Sequence, residues 1–518
     1  MSSYTRTALD ATDDIEDIEM EEMTVFTANE EKANLLLQEE TVRKRTDSEG
    51  DVDSNVEDGG FPPEVSHRRR KIKRRVWKNI FVLGLAFMVS FSAYDGLQAL
   101  QSSINCDEGL GFASLITVYI SFIFSGLFLP NVVIRLLGVK WTIVCCMTCY
   151  IVYPLANFRP DWYTMIPASV VVGLAAGPLW TSESTYISAS AYIVAGVSLT
   201  ETPDAMLGKL FGVISSLFYM RGIFGNFISA TVYRELLTPE QRHHDEPGVM
   251  YTCGASNCRD TNGNSTSYCY PPPLSVTAVI LVIFIVFYVI AFLMLSFLLD
   301  KLPKEKDKSA DTHLLSATVK TISLWKDYRL WMLVPIIMSG GLRLGVLNGD
   351  FNESYVTCGI GVEYVGYVVL CTSITQTLAS YPSGLLTKYI GRLSQLAFGV
   401  ALDCVLIIVM LLWDPDDRVE LYFLIAAGWG VTDALIIVQI RSFIGLFYPD
   451  KPSAAFANFH LWGAVGSCVS FAMSLMFCVS TKLYILFCFQ LIALALYAVV
   501  ECIFNNKGKE RYLLQKIC

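Results

Sequence analysis

The chain has 518 residues, of which 53% are apolar or aromatic and 17% charged, with a formal charge of −9 and a mean hydropathy of +0.46. Soluble proteins average about 25% charged residues, so a soluble enzyme, a disordered chain and a small disulfide-stapled domain are all excluded. The acidic balance leaves no overall basic face for nucleic acid.

Residues 1–76 hold 19 of the 48 acidic residues and 12 of the 39 basic ones. This stretch has few aromatics and no sustained period, which predicts a disordered acidic tail. It lacks an apolar segment near Met1, so it is not a signal peptide. Within it, Glu31-Lys-Ala-Asn-Leu35-Leu36 fits the acidic dileucine pattern read by sorting adaptors. The tail ends in His67-Arg-Arg-Arg-Lys-Ile-Lys-Arg-Arg75, directly before an apolar run. Such a cluster is attracted to anionic cytoplasmic lipid and holds that end inside.

Crossing a bilayer takes about 20 apolar residues at 1.5 Å each. The apolar runs predict twelve spans, at 77–104, 112–134, 139–158, 161–185, 207–232, 274–299, 328–349, 360–383, 393–413, 419–441, 453–478 and 481–503. The connections at 105–111, 135–138, 414–418 and 479–480 are too short for anything but antiparallel hairpins. The fold expected is an all-α membrane protein. Its parts are a cytoplasmic tail (1–76), a first bundle (77–299) with an outer loop at 233–273, a cytoplasmic linker (300–327), a second bundle (328–503) and a cytoplasmic end (504–518).

Lys and Arg set the direction. Most of those beyond residue 76 fall in loops that an inside amino terminus places in the cytosol, among them Arg135, Lys140, Lys301 to Lys308, Lys388, Arg392, Arg441 and Lys451. Arg159, Arg234, Arg242, Arg259, Arg418 and Lys482 fall on the other side. This asymmetry predicts both termini inside. The glycosylation sequons at Asn264 and Asn352 fall on the predicted outer face. So do Cys106, Cys253, Cys258, Cys269 and Cys358. Cys253 and Cys258 are candidates to bridge there, and the odd count leaves one thiol over. No second ligand pair accompanies the Cys253-x4-Cys258 spacing, so no zinc site is predicted.

The halves resemble each other at an offset near 250 residues. Gly109-Leu-Gly-Phe112 corresponds to Gly359-Ile-Gly-Val362. Arg135-Leu-Leu-Gly138 corresponds to Lys388-Tyr-Ile-Gly391, and Gly222 and Gly225 to Gly463 and Gly466. Two six-helix bundles related about the membrane normal are the major facilitator architecture. The turns resemble that superfamily's cytosolic signature with its acidic residue missing.

Ionisable residues at membrane depth default to functional hypotheses. Here they are Asp95, Glu183, Arg221, Arg343, Asp403, Asp433 and His460. By helix rise, Arg343 lies about 22 Å and Asp433 about 15 Å from the cytosolic ends, and Asp95 and Arg221 about 27 and 21 Å. These depths predict pairs Asp433–Arg343 and Asp95–Arg221, acting as buried locks or as a solute site. Glu183 is expected near the cytosolic interface and solvated, and His460 is a candidate proton-linked switch. No catalytic, cofactor-binding or metal-binding motif is present, which predicts a non-enzyme without cofactors.

Several stretches resemble the Unc-ninety-three-like family. They are Ala93-Tyr-Asp-Gly-Leu-Gln-Ala-Leu-Gln-Ser-Ser103, Cys253-Gly-Ala-Ser-Asn-Cys258, Ser354-Tyr-Val-Thr-Cys358, Trp429-Gly-Val-Thr-Asp433-Ala, Ala454-Ala-Phe-Ala-Asn-Phe-His-Leu-Trp462 and Lys482-Leu-Tyr-Ile-Leu486. In order they cover nearly all of 77–503. Asp95 stands where the family pattern has a small residue, and His460 where it has Arg. The resemblance implies a transporter-like accessory protein. A nematode member regulates a two-pore-domain potassium channel, and a vertebrate paralogue escorts Toll-like receptors. The expectation is a non-catalytic regulator of a potassium channel or other membrane-protein client, embedded in lipid, at the plasma membrane. The alternatives are a secondary transporter and an endolysosomal trafficking chaperone.

Overall fold

The computed structural model describes residues 63–104, 110–198, 200–236, 253–258, 274–302, 314–361, 364–416 and 418–517. Glu31, Leu35, Leu36, Cys106, Asn264 and Cys269 lie outside them. The described residues form helices and connecting turns, with no strand among them.

The first half of the chain contains α1 (Pro63–Ile104), α2 (Leu110–Phe128), α3 (Pro130–Cys149), α4 (Val152–Ala156), α5 (Trp162–Val197), α6 (Pro203–Leu236) and α7 (Leu274–Leu298). A linker helix, α8 (Leu314–Ser323), precedes the second half. There follow α9 (Tyr328–Gly345), running on into a π-helical stretch (Val346–Thr357), then α10 (Val365–Ile390), α11 (Arg392–Leu412), α12 (Val419–Phe447), α13 (Pro452–Met476) and α14 (Val479–Ile517). Among the described residues, nine helices are long and apolar enough to cross a membrane. α10 and α13 are less apolar because they carry Ser, Thr and Gly where they pack against neighbours, and close packing in lipid favours such small side chains.

Several helices outrun the apolar runs that mark them. α1 begins at Pro63, whose fixed φ suits a first turn, so the basic cluster is helical and continuous with the first span rather than part of a loose tail. α5 passes through Pro167 and Pro178 and ends only at Val197. α12 ends at Phe447 and α14 at Ile517, so 504–517 is helix, not a separate tail. Apolarity marks what lipid must cover, whereas backbone hydrogen bonding continues into water.

The packing pairs repeat. In the first half α1 packs on α6 and α7, and α5 on α2 and α3; in the second, α9 packs on α13 and α14, and α12 on α10 and α11. Between the halves, α6 lies along α10 and α2 along α13. Two sequence correspondences acquire a physical reason. Gly138 (φ 75°, ψ 162°) and Gly391 (φ 81°, ψ 166°) share a conformation open in practice to glycine alone. Gly225 and Gly466 are contact points: a Cβ on Gly225 would sit 2.5 Å from the Ser92 carbonyl on α1, and one on Gly466 2.3 Å from the Met338 carbonyl on α9. Gly466→Val should therefore lower stability by about 1–3 kcal/mol through overpacking. Gly463→Ala, with open space around it, should change the melting temperature little; equal losses in the two variants would contradict the contact.

The two ends of the molecule differ. At the basic end, Asp300 follows α7 and accepts from Arg75 Nε and Lys78 Nζ, each at 2.8 Å. Burial alone would raise the Asp300 carboxyl, but these two donors outweigh it and hold the group below the usual carboxylate range. The linker is clamped between the halves at the same end. Asn131 of α3 donates to Thr321 of α8 (2.9 Å) and accepts from Ser453 of α13 (2.8 Å). Trp325, just after α8, donates to Asn458 of α13 at 2.7 Å.

The opposite end carries two disulfides. Cys253 bonds Cys358 and Cys258 bonds Cys478. The expected Cys253–Cys258 bridge is corrected: a short 3-10 turn, Gly254–Ser256, separates the two, and each reaches a different partner in the second half. Cys478, the last residue of the predicted span 453–478, is the partner of Cys258. The turn between α6 and α7 is thus stapled to the second half, where Asn257 donates to Ser354 (3.0 Å) and accepts from the Val479 amide (3.1 Å). Asn352 lies in the π-helical stretch, and the Ser354 of its sequon is buried.

Candidate functional site

A string of charged and polar groups crosses the molecule at mid-depth. Each member sits on a helix whose other faces are apolar, so its side chain can find polar company only inward. Arg343 of α9 is the centre, with its side chain 3% exposed. One guanidinium nitrogen donates to Asp403 Oδ2 of α11 at 3.0 Å and another to Asp433 Oδ1 of α12. Asp403 Oδ2 also accepts from Gln490 of α14 at 2.7 Å. Asp433 Oδ2 accepts from Tyr219 of α6 at 2.6 Å and from Gln376 of α10 at 3.1 Å. The Tyr219 bond crosses between the halves.

In the first half, Arg221 donates to Asp95 Oδ2 at 2.6 Å. Its guanidinium lies 3.7 Å from the Phe218 ring centroid and 5.8 Å from that of Tyr219, within cation–π range. The Asp95, Arg221 and Asp433 side chains are 25%, 21% and 22% exposed, whereas Asp403 is fully buried.

A second cluster lies toward the basic end. Glu183 of α5 pairs with Arg441 of α12; Ser184 donates to Glu183 at 2.8 Å and accepts from Arg441 at 2.9 Å. His460 Nε2 is 3.0 Å from Ser184 Oγ. Glu183 is 1% exposed, which corrects the expectation of a solvated residue. Because α5 runs twelve residues past the span limit of 185, Glu183 lies well inside the helix. Arg441 is likewise a buried residue of α12 and not a loop residue. Near the disulfides, Lys482 pairs with Asp350 of the π-helical stretch, both buried.

Depth arithmetic brings Asp433 to Arg343 and Asp95 to Arg221. It misses the second carboxylate on Arg343, the Tyr219, Gln376 and Gln490 ligands, and both ion pairs formed by residues assigned to loops. One signal for Arg441 is legible: the apolar run continues from Phe443 to Phe447, so the span does not end at the arginine. Among the described residues, no group of three or more His, Cys, Asp or Glu side chains is placed to hold a metal. The arrangement can lock helices together.

Comparison with known proteins decides the family. The profile described as "Ion channel regulatory protein UNC-93" matches residues 102–498. The chain belongs to the UNC-93 family. "Protein unc-93 homolog A" of Xenopus laevis is 35% identical over 442 residues, 84% of this chain and 95% of that one. The "Putative potassium channel regulatory protein unc-93" of Caenorhabditis elegans is 27% identical over 83% of this chain and 61% of its own. The E. coli fucose:proton symporter FucP superposes with a TM-score of 0.57 at 10% identity, over 81% of this chain and 98% of that one. The fold is therefore that of major facilitator transporters. The family match takes in Arg221, Arg343, Asp403 and Asp433 but begins beyond Asp95.

Proposed function

We propose that this UNC-93 family chain is a non-catalytic, multi-pass regulator of a potassium channel at the plasma membrane. The supporting observation is the similarity, across 83% of the chain, to a nematode protein named as a potassium channel regulator. We read the chain as twelve spans in two six-helix bundles, over 77–299 and 328–503, with both termini in the cytosol. The disulfide end is then outermost, where an oxidising compartment preserves such bonds, and Asn264 and Asn352 are its candidate glycan sites. The basic end faces anionic lipid.

Co-expression with a panel of potassium channels tests this: a severalfold change in current and co-purification with at least one channel are expected. Unchanged currents throughout, with nothing co-purified, would sink the proposal. A second reading, a secondary transporter, is favoured by the partly exposed Asp433 carboxylate between the halves of a transporter fold. Uptake into proteoliposomes along an ion gradient, lost in Asp433→Asn, would separate it from the first. The receptor-escort reading rests on Glu31, Leu35 and Leu36.

A further inference from the structure

The cluster around Arg343 carries one carboxylate too many. Asp403 and Asp433 share one guanidinium, whereas Asp95 has Arg221 and Glu183 has Arg441 to itself. A net negative charge at membrane depth is costly and calls for a positive partner. Asp403 Oδ1 has no hydrogen-bond partner although Asp403 is 0% exposed, and Gln490 Oε1, also 0% exposed, has none either.

We propose that Asp403 and Asp433, bridged by Arg343, hold one exchangeable proton between them. Two carboxylates at one site resist double ionisation, and the proton then belongs to the pair rather than to either residue. An alkali cation is the other source of a single positive charge, but it needs a shell of oxygens in place of its water. The cluster offers two free oxygens, while Asp403 Oδ2 and both Asp433 oxygens already accept. A proton needs only one. The partly exposed Asp433 is the member that exchanges it with water.

The other charged groups nearby have partners of their own, Arg221 being paired with Asp95. Arg343 faces the pair from α9, Gln490 from α14 and Gln376 from α10. Tyr219 faces it from α6, with Arg221 beside the Tyr219 ring, and the Cys404 thiol adjoins Asp403 on α11. His460 of α13 is engaged with Ser184, and Glu183 of α5 with Arg441. On α14, Lys482 is held by Asp350. Because Asp433 Oδ2 accepts from Tyr219, occupancy of the site is felt at the contact between the halves.

The test is infrared difference spectroscopy of the full chain in lipid nanodiscs, stepped from mildly acidic to alkaline buffer. A protonated-carboxyl band that disappears on the step is expected in the wild type and absent in both Asp403→Asn and Asp433→Asn, each of which leaves one carboxylate for one guanidinium. If Asp403→Asn does not fold, Asp433→Asn, at the partly exposed member, carries the comparison alone. The band should be the same in sodium, potassium and choline salts. A wild type without the band, or a band kept in Asp433→Asn, overturns the proposal. A response to sodium or potassium without a response to pH does so too, and assigns the site to an alkali cation.

Discussion

Arg343→Gln is expected to destabilise the protein by about 3–5 kcal/mol, because it leaves buried charge without its partner. Asp403, fully buried, keeps only the amide of Gln490, and Asp433 keeps Tyr219 and Gln376. Two carboxylates then face each other with nothing between them. Arg343→Lys retains the charge but not the fork that spans two helices, so its loss should be intermediate. Removing a carboxylate together with the arginine, in Arg343→Gln with Asp403→Asn, should recover part of the loss. The charge swap Asp433→Arg with Arg343→Asp checks the pairing in another way. Thermal unfolding of the detergent-solubilised chain reads all of these against Arg418→Gln, which breaks an exposed pair with Asp416 and should move the midpoint little, since exposed ion pairs contribute about 0–1 kcal/mol. An Arg343→Gln midpoint no lower than that control would show that the cluster does not hold the helices.

Losing a disulfide is the second large effect expected. Cys258→Ser and Cys478→Ser should each lower stability by about 2–5 kcal/mol, and the double variant should be no worse than either single one. The closed loop is long, with a sequence separation of 220, and a cross-link of that reach removes much freedom from the unfolded chain. Cys253→Ser with Cys258→Ser should be worse than either alone, because it opens both bonds; a Cys253–Cys258 bridge would make that double equal to its singles. Peptide mapping without reduction provides a direct check, with Cys258 expected on the same fragment pair as Cys478. Recovery of Cys253 linked to Cys258 would refute the pairing.

These two sites differ in how much of each was legible beforehand. The Arg343–Asp433 and Asp95–Arg221 pairs follow from depth along a helix, since a charge in lipid must find its opposite at similar height. Asp403 was visible as a buried charge, but nothing local assigns it to Arg343, which the neighbouring helix had already claimed. Arg441 and Lys482 are misread because a charge near the edge of an apolar run looks like the start of a loop, whereas α12 runs on to Phe447 and α14 already begins at Val479. The disulfides were unreadable in a different way: partners 105 and 220 residues apart leave no local trace, and the nearest cysteine was the wrong one.

The sequence by itself determined that the chain lies in a membrane, where its apolar runs begin, and that its halves repeat. Each follows from local chemistry: runs of about 20 apolar residues, and glycines recurring where a turn or a close approach admits no side chain. Only the tertiary structure decided which helices touch, which carboxylates share Arg343, and that the outer turn of the first half is bonded to the second. Those facts depend on how helices distant in the chain settle against one another, and packing of that kind has no period a linear reading can detect.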